Sequence, residues 1–153
     1  MTKKNHGLKG MVKLKDSLLR EHLTKATKVA LHPIRRKVLK LLKDGSSLST
    51  IDIIDRLDLN KEDRYNLYHH LTILENFNLI KKDTKLSIGK TQYYKINKPK
   101  NPIMMAYSYD EDEIKENKDE ISTILDSLSK IENHKIGNKD KIKSIEINIL
   151  CKK

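Results

Sequence analysis

The feature that most constrains the 153-residue chain is a change of hydrophobic period at Asn78. Before it, Leu67, Leu71 and Leu74 recur at helical spacing. Asn60 stands at a capping position, and Glu62 and Asp63 fall in the first turn, where the helix macrodipole favours negative charge. The spacing predicts a helix over about 61–77, and Asn78 suits the left-handed residue that ends it. From Leu79 onward "LIKKDTKLSIGKTQYYKI" is rich in β-branched and aromatic residues and carries a turn at "SIGK", which predicts a β-hairpin over 79–96.

Helical patterns precede this switch. Leu8, Met11, Val12, Leu18, Leu19, Leu23, Ala26, Val29 and Ala30 recur at three- and four-residue steps with lysines between them, predicting an amphipathic helix over 8–30. "LHPIRRKVLKLLKDG" restarts the pattern with Pro33 at a first helical position, a stripe of Ile34, Val38, Leu41 and Leu42, and a stop at Lys43 to Gly45. Ser49, three residues before Asp52, resembles a capping box, and Ile53, Ile54 and Leu57 continue a short helix.

Beyond Pro99 and Pro102, which bracket a linker, an acidic start leads into Ile114, Ile121, Ile124, Leu125, Leu128 and Ile131. That narrow, heptad-like seam suits a partner helix better than a thick core. The tail "KSIEINIL" alternates like a strand, with no evident partner. The order of elements predicts a mainly α, α+β fold: a winged helix-turn-helix with a β-hairpin wing and one additional helix at each end. The expected domains are a basic N-terminal helix over 1–30, the winged helix-turn-helix over 31–100, and a C-terminal helix and tail over 101–153.

Charge narrows the function. The net charge is +11, and residues 1–43 hold 13 Lys/Arg against 2 Asp/Glu, whereas residues 101–153 hold 9 against 11. This asymmetry points to a polyanionic partner, above all nucleic acid, although lysine-rich sequences also arise from nucleotide bias. A single cysteine, Cys151, excludes an intramolecular disulfide and any Cys-pair metal site, and suits a reducing cytoplasm. The basic N-terminus lacks the apolar stretch of an export signal, and no run approaches membrane-spanning length, so neither export nor a membrane is expected.

The paired His69 and His70 pose the sharpest chemical question. Adjacent helical residues point about 100° apart, so the two cannot easily share a metal ion. His70 shares the inward edge with Leu67 and Leu71, where its ring is expected to hydrogen-bond a backbone group. His69 falls outward, either as a binding residue or as an ordinary exposed histidine.

The outward face then comprises Lys61, Arg64, Tyr65, Tyr68, His69 and Thr72, types that contact phosphates and base edges when a helix enters a major groove. Tyr65 and Tyr68 can equally be half-buried packing residues. Ser49 and Thr50 can offer hydroxyl and backbone donors to a phosphate. Lys81, Lys82, Lys85, Lys90 and Lys95 decorate the hairpin, and Lys85 and Lys90 are favoured as backbone contacts over simple solvation.

The acidic run "DEDEIKENKDE" reads as the solvated start of a helix, His6, His22 and His32 share no spacing, and no metal or other cofactor is expected. With no glycine-rich phosphate loop, GxSxG or HExxH, the chain is not expected to be an enzyme.

Three segments together resemble the ArsR-like winged-helix transcriptional regulators, particularly small prokaryotic members of the archaeal type. They are "LHPIRRKVLKLL" at 31–42, "STIDIIDRLDL" at 49–59 and, most sharply, "LYHHLTILENFNLI" at 67–80, where Asn78 stands in place of the usual glycine. The resemblance covers about residues 30–97. It implies a sequence-specific regulator that binds double-stranded DNA as a homodimer, with dimer contacts on the first helix (Leu18, Leu19, Leu23) and the last (Ile114, Ile121, Ile124, Leu125, Leu128, Ile131). The Cys-x-Cys pair and Asp/His clusters of metal-sensing members are absent, so no metal site is implied, and a small-molecule effector is left unassigned. The alternative is a winged-helix protein-interaction module without sequence-specific DNA binding. RNA binding lacks the aromatic sheet platform such modules use.

Overall fold

The computed structural model describes residues 5–152, and side chains from residue 17 onward. The side chains of Leu8, Met11 and Val12, read above from their spacing, and of His6 lie outside the described residues. The fold is α+β: the described residues form six α-helices and two small antiparallel sheets. They divide into two compact units, Met1–Pro102 and Ile103–Lys153. Among the described residues no helix is long and apolar enough to cross a membrane.

The first unit runs α1 (Asn5–Leu31), α2 (Pro33–Leu42), β1 (Leu48–Ser49), α3 (Thr50–Leu57), α4 (Lys61–Asn76), β2 (Ile80–Lys82) and β3 (Tyr93–Ile96). Pro33 opens α2 where its missing N–H costs nothing, and Ile34, Val38 and Leu42 bury one stripe of it. Gly45, at φ 92°, takes the turn that follows, a region L side chains avoid. Ser49 and Asp52 close a reciprocal capping box on α3. Asp58, at φ 45°, ends α3 in the left-handed region, and the Leu59 N–H donates back to the Ile54 carbonyl at 3.3 Å.

Asn60 then caps α4 by accepting from the Asp63 N–H at 2.8 Å. At the far end Asn78 takes φ 56° and the Leu79 N–H reaches the Leu74 carbonyl at 3.0 Å, the bonding that terminates a helix through a left-handed residue. The chain passes directly into β2. β3 lies between β1 and β2, with Ile80 opposite Ile96 and Leu48 opposite Tyr94. The β1 strand, two residues long, has no counterpart in the sequence reading.

The core of this unit draws from every layer: Ile34, Val38 and Leu42 of α2, Ile53 of α3, Leu67, Leu71 and Leu74 of α4, and Leu48, Ile80 and Tyr94 of the sheet. Each fully buried leucine on α4 contributes about 2 kcal/mol of transfer free energy, enough to override the helix's many polar residues and fix which face turns outward. α1 joins the same unit, with Val29 against the core and the His22 ring stacked on Phe77 at 5.7 Å.

The second unit contains β4 (Met104–Tyr109), α5 (Glu111–Glu116), α6 (Lys118–Glu132), a 3₁₀ turn at Lys139–Lys141 and β5 (Ile145–Leu150). β4 and β5 pair antiparallel over six residues each, which supplies the partner the tail lacked. Asp110 caps α5 with a second capping box, through Glu113.

Two expectations are corrected here. The one C-terminal helix expected to carry Ile114 to Ile131 is broken at Asn117 (φ −115°, ψ 41°), whose side-chain amide donates to the Glu113 carbonyl at 2.8 Å and competes with helix propagation. The heptad seam is also not a free dimer face. Ile114, Ile121 and Leu125 are buried in this unit's own core, with Tyr109, Ile136, Ile142 and Ile145 packed against them. Leu23 is likewise buried within the chain and Leu19 half-buried, so of the residues assigned to dimerisation only Leu18, Ile124, Leu128 and Ile131 remain exposed.

Candidate nucleic-acid interface

α4 is held by its inner face. With Leu67, Leu71 and Leu74 buried and His70 only 9% exposed, the helix has one rotational setting, and the opposite face is presented to solvent. That face carries Lys61, Arg64, Tyr65, Tyr68, His69 and Thr72, all exposed. Tyr65 is 80% and Tyr68 64% exposed, so neither ring is packed within this chain.

The face is partly preorganised. The Arg64 Nε–H donates to the Leu59 carbonyl at 2.9 Å, which ties the guanidinium to the α3–α4 turn while its terminal NH2 groups remain for an anion or a base edge. Thr72 is less available than its position suggested: its hydroxyl donates to the Tyr68 carbonyl at 2.9 Å, leaving an acceptor lone pair and a methyl group outward. Glu62, expected only as a first-turn residue that suits the helix dipole, is also exposed on the same turn as Tyr65, three residues away, a spacing that places both on one face.

Ser49 is a correction. It is 6% exposed, its hydroxyl donates to Asp52 at 2.8 Å, and its own N–H donates to the same carboxylate at 2.9 Å. The donors that hold the Asp52 carboxyl below the usual carboxylate range are therefore spent internally, the backbone bond first and the hydroxyl second, and neither is free for a phosphate. Thr50 sits half-buried at the first position of α3.

His70 is inward as expected, but its surroundings differ. No backbone group accepts from its Nδ1, which is buried without a hydrogen-bond partner, as are His32 Nδ1 and Arg35 Nε. The His70 ring instead lies 4.5 Å from the His32 ring, tilted by 38°. Desolvation, then the His32, Arg35 and His69 charges, push the His70 pKa below its ordinary value, against a smaller opposing pull from Asp63. The His69 and His70 rings are 6.0 Å apart, one exposed and one buried.

The hairpin stands next in sequence to the end of α4. Its base is fixed by Asp83, 8% exposed, which accepts from the Ser47 hydroxyl at 2.6 Å and the Lys85 N–H at 3.1 Å and pairs with Lys95 at 3.5 Å. Those contacts, the Ser47 bond first, hold its carboxyl below the usual range. Lys95 is thereby neutralised locally, while Lys81, Lys82, Lys85 and Lys90 are exposed. The tip turns at Gly89 (φ 63°), closed by the Thr91 N–H on the Ile88 carbonyl. Ile88 is 79% exposed there, an apolar tip between basic residues that the spacing of lysines alone did not mark.

Among the described residues no three His, Cys, Asp or Glu side chains converge on a point able to hold a metal ion. No protein-family model and no curated protein sequence matches this chain.

Proposed function

We propose that the chain is a transcriptional regulator of the winged helix-turn-helix type, akin to the ArsR-like regulators, that binds specific double-stranded DNA as a cytoplasmic homodimer and is not an enzyme. The observation that carries this reading is the outward face of α4, where two tyrosines at 80% and 64% exposure stand among Lys61, Arg64 and His69 with no protein surface against them. Large exposed aromatics interleaved with cations are costly on a solvated helix and match a major groove. α3, a three-residue turn over 58–60, α4 and the basic hairpin follow one another in the order such readers use.

In this reading α4 enters the groove from its N-terminal end. Lys61 contacts backbone, Arg64 reaches a guanine edge or a phosphate from its anchored position, and Tyr65, Tyr68, His69 and Glu62 face base edges. Lys85 and Lys90 clamp the flanking backbone. Two subunits place their helices about 34 Å apart, one turn of duplex.

Selection of bound sites from a random DNA pool, followed by titration of Arg64→Ala, tests the reading. Arg64→Ala is expected to weaken the selected site by about 1–3 kcal/mol while leaving random duplex nearly unchanged. Equal loss on both places Arg64 on the backbone, and the absence of any salt-sensitive duplex binding at micromolar protein overturns the proposal. A protein-interaction module is favoured instead by Ile124, Leu128 and Ile131, exposed at 38%, 44% and 78% along α6. It predicts no enrichment of any DNA sequence.

A further inference from the structure

The sheet of the second unit is unfinished in two ways, and both point to the same occupant. A two-stranded sheet is marginal alone in water. The Cys151 N–H donates to the Ile103 carbonyl at 2.8 Å, one step beyond the Met104–Leu150 pair. Alternation along an antiparallel ladder therefore turns the N–H groups of Ile145, Ile147 and Ile149 toward β4 and those of Glu146, Asn148 and Leu150 toward the outer edge. Among the described residues no strand lies on that edge.

The second deficiency is a half-covered face. Ile145, Ile147 and Ile149 share one side of the sheet with their partners Tyr109, Tyr107 and Met105. The Tyr109–Ile145 end packs under the Ile114, Ile121 and Leu125 cluster of α5 and α6. Away from that end the cover thins: Tyr107, opposite Ile147 at the middle, stays 44% exposed and Ile149, at the far end, 39%.

We propose that a second copy of this chain adds its β5 antiparallel to β5, about a two-fold axis at Ile147, to give a continuous four-stranded sheet. In that register Ile147 faces its own copy and Ile145 faces Ile149, so the apolar stripe is unbroken. Glu146 falls opposite Asn148, and no like charges are directly opposed. Because the axis is perpendicular to the sheet, the helices covering the Ile145 end of each copy come to lie over the bare Ile149 end of the other. The occupant that completes the edge is thus also the one that completes the face. This pairing does not depend on DNA binding.

The test uses the full chain. Asn148→Pro removes an outward N–H that the subunit's own ladder does not use, whereas Asn148→Thr keeps it. Analytical ultracentrifugation is expected to find a wild-type dimer, unchanged dimerisation for Asn148→Thr, and dimerisation weakened by about tenfold or more for Asn148→Pro with the far-ultraviolet spectrum retained. In a Cys151→Ser background, Ile147→Cys is expected to oxidise to a covalent dimer, since residues facing themselves in a non-hydrogen-bonded pair are within disulfide reach, while Ile149→Cys is not. A monomeric wild type at high micromolar concentration, equal dimerisation of the proline and threonine variants, or cross-linking of Ile149→Cys as fast as Ile147→Cys would each overturn the proposal.

Discussion

His70 packs where a hydrocarbon would serve better, and its cost depends on pH. Its Nδ1 has no partner, its ring rests on His32, and Arg35 adds a nearby positive charge, so burial and repulsion depress its folded pKa. A histidine depressed on folding binds its proton more tightly when unfolded. The neutral ring therefore gives its full contribution above the unfolded value of about 6.5, and stability falls as pH drops through that range. Denaturant unfolding at pH 7.5 and pH 5.5 is expected to find the wild type weaker in acid and His70→Phe less affected. An identical loss for the variant assigns the acid sensitivity to other groups. Of this environment the sequence carried only the inward position, three residues from Leu67; the His32 ring arrives from the α1–α2 junction, and nothing local signals that contact.

At the level of elements, α4 and the hairpin were legible because each has its own punctuation. Asn60 begins the helix and Asn78 ends it, and the second of these tolerates a left-handed residue at little cost. Asn78→Gly is expected to be neutral or slightly stabilising, whereas Asn78→Val is expected to cost about 1–2 kcal/mol in thermal or denaturant unfolding, since a β-branched residue resists φ 56°. Elements defined by distant partners were not legible. β4 lies in "MMAYSY", which lacks a polar-apolar alternation, and it is a strand because β5 pairs with it. The break at Asn117 was hidden by isoleucines at seven-residue spacing, since heptads report a shared face and not helix continuity. The loss of Ser49 as a donor has the same origin: the capping box was visible, and its consumption of the hydroxyl follows from it.

For the whole molecule, charge and core are divided between the two units. The first holds 23 Lys/Arg against 10 Asp/Glu and the second 9 against 11, so the positive excess belongs to the first. Among the described residues the core of the first unit has eleven buried residues and that of the second three. Since apolar burial is the main stabilising term, the second unit should open more readily. Hydrogen exchange is expected to be faster for the β4 and β5 amides than for those of α2 and α4 in dilute protein, and to slow in the second unit as concentration rises, as sheet completion by a second copy requires. Uniform protection across both units at every concentration would contradict this.

The position of β3 in the first unit has a consequence for synthesis. β3 is the middle strand, with β1 on one side and β2 on the other, so the sheet cannot close before Tyr93–Ile96 has been made. During elongation, α2, α3 and α4 emerge with Leu48 and Ile80 still lacking Tyr94 between them, an interval on the order of seconds at ordinary translation rates. In that interval Leu48 and Ile80 keep exposed the apolar surface that Tyr94 later covers.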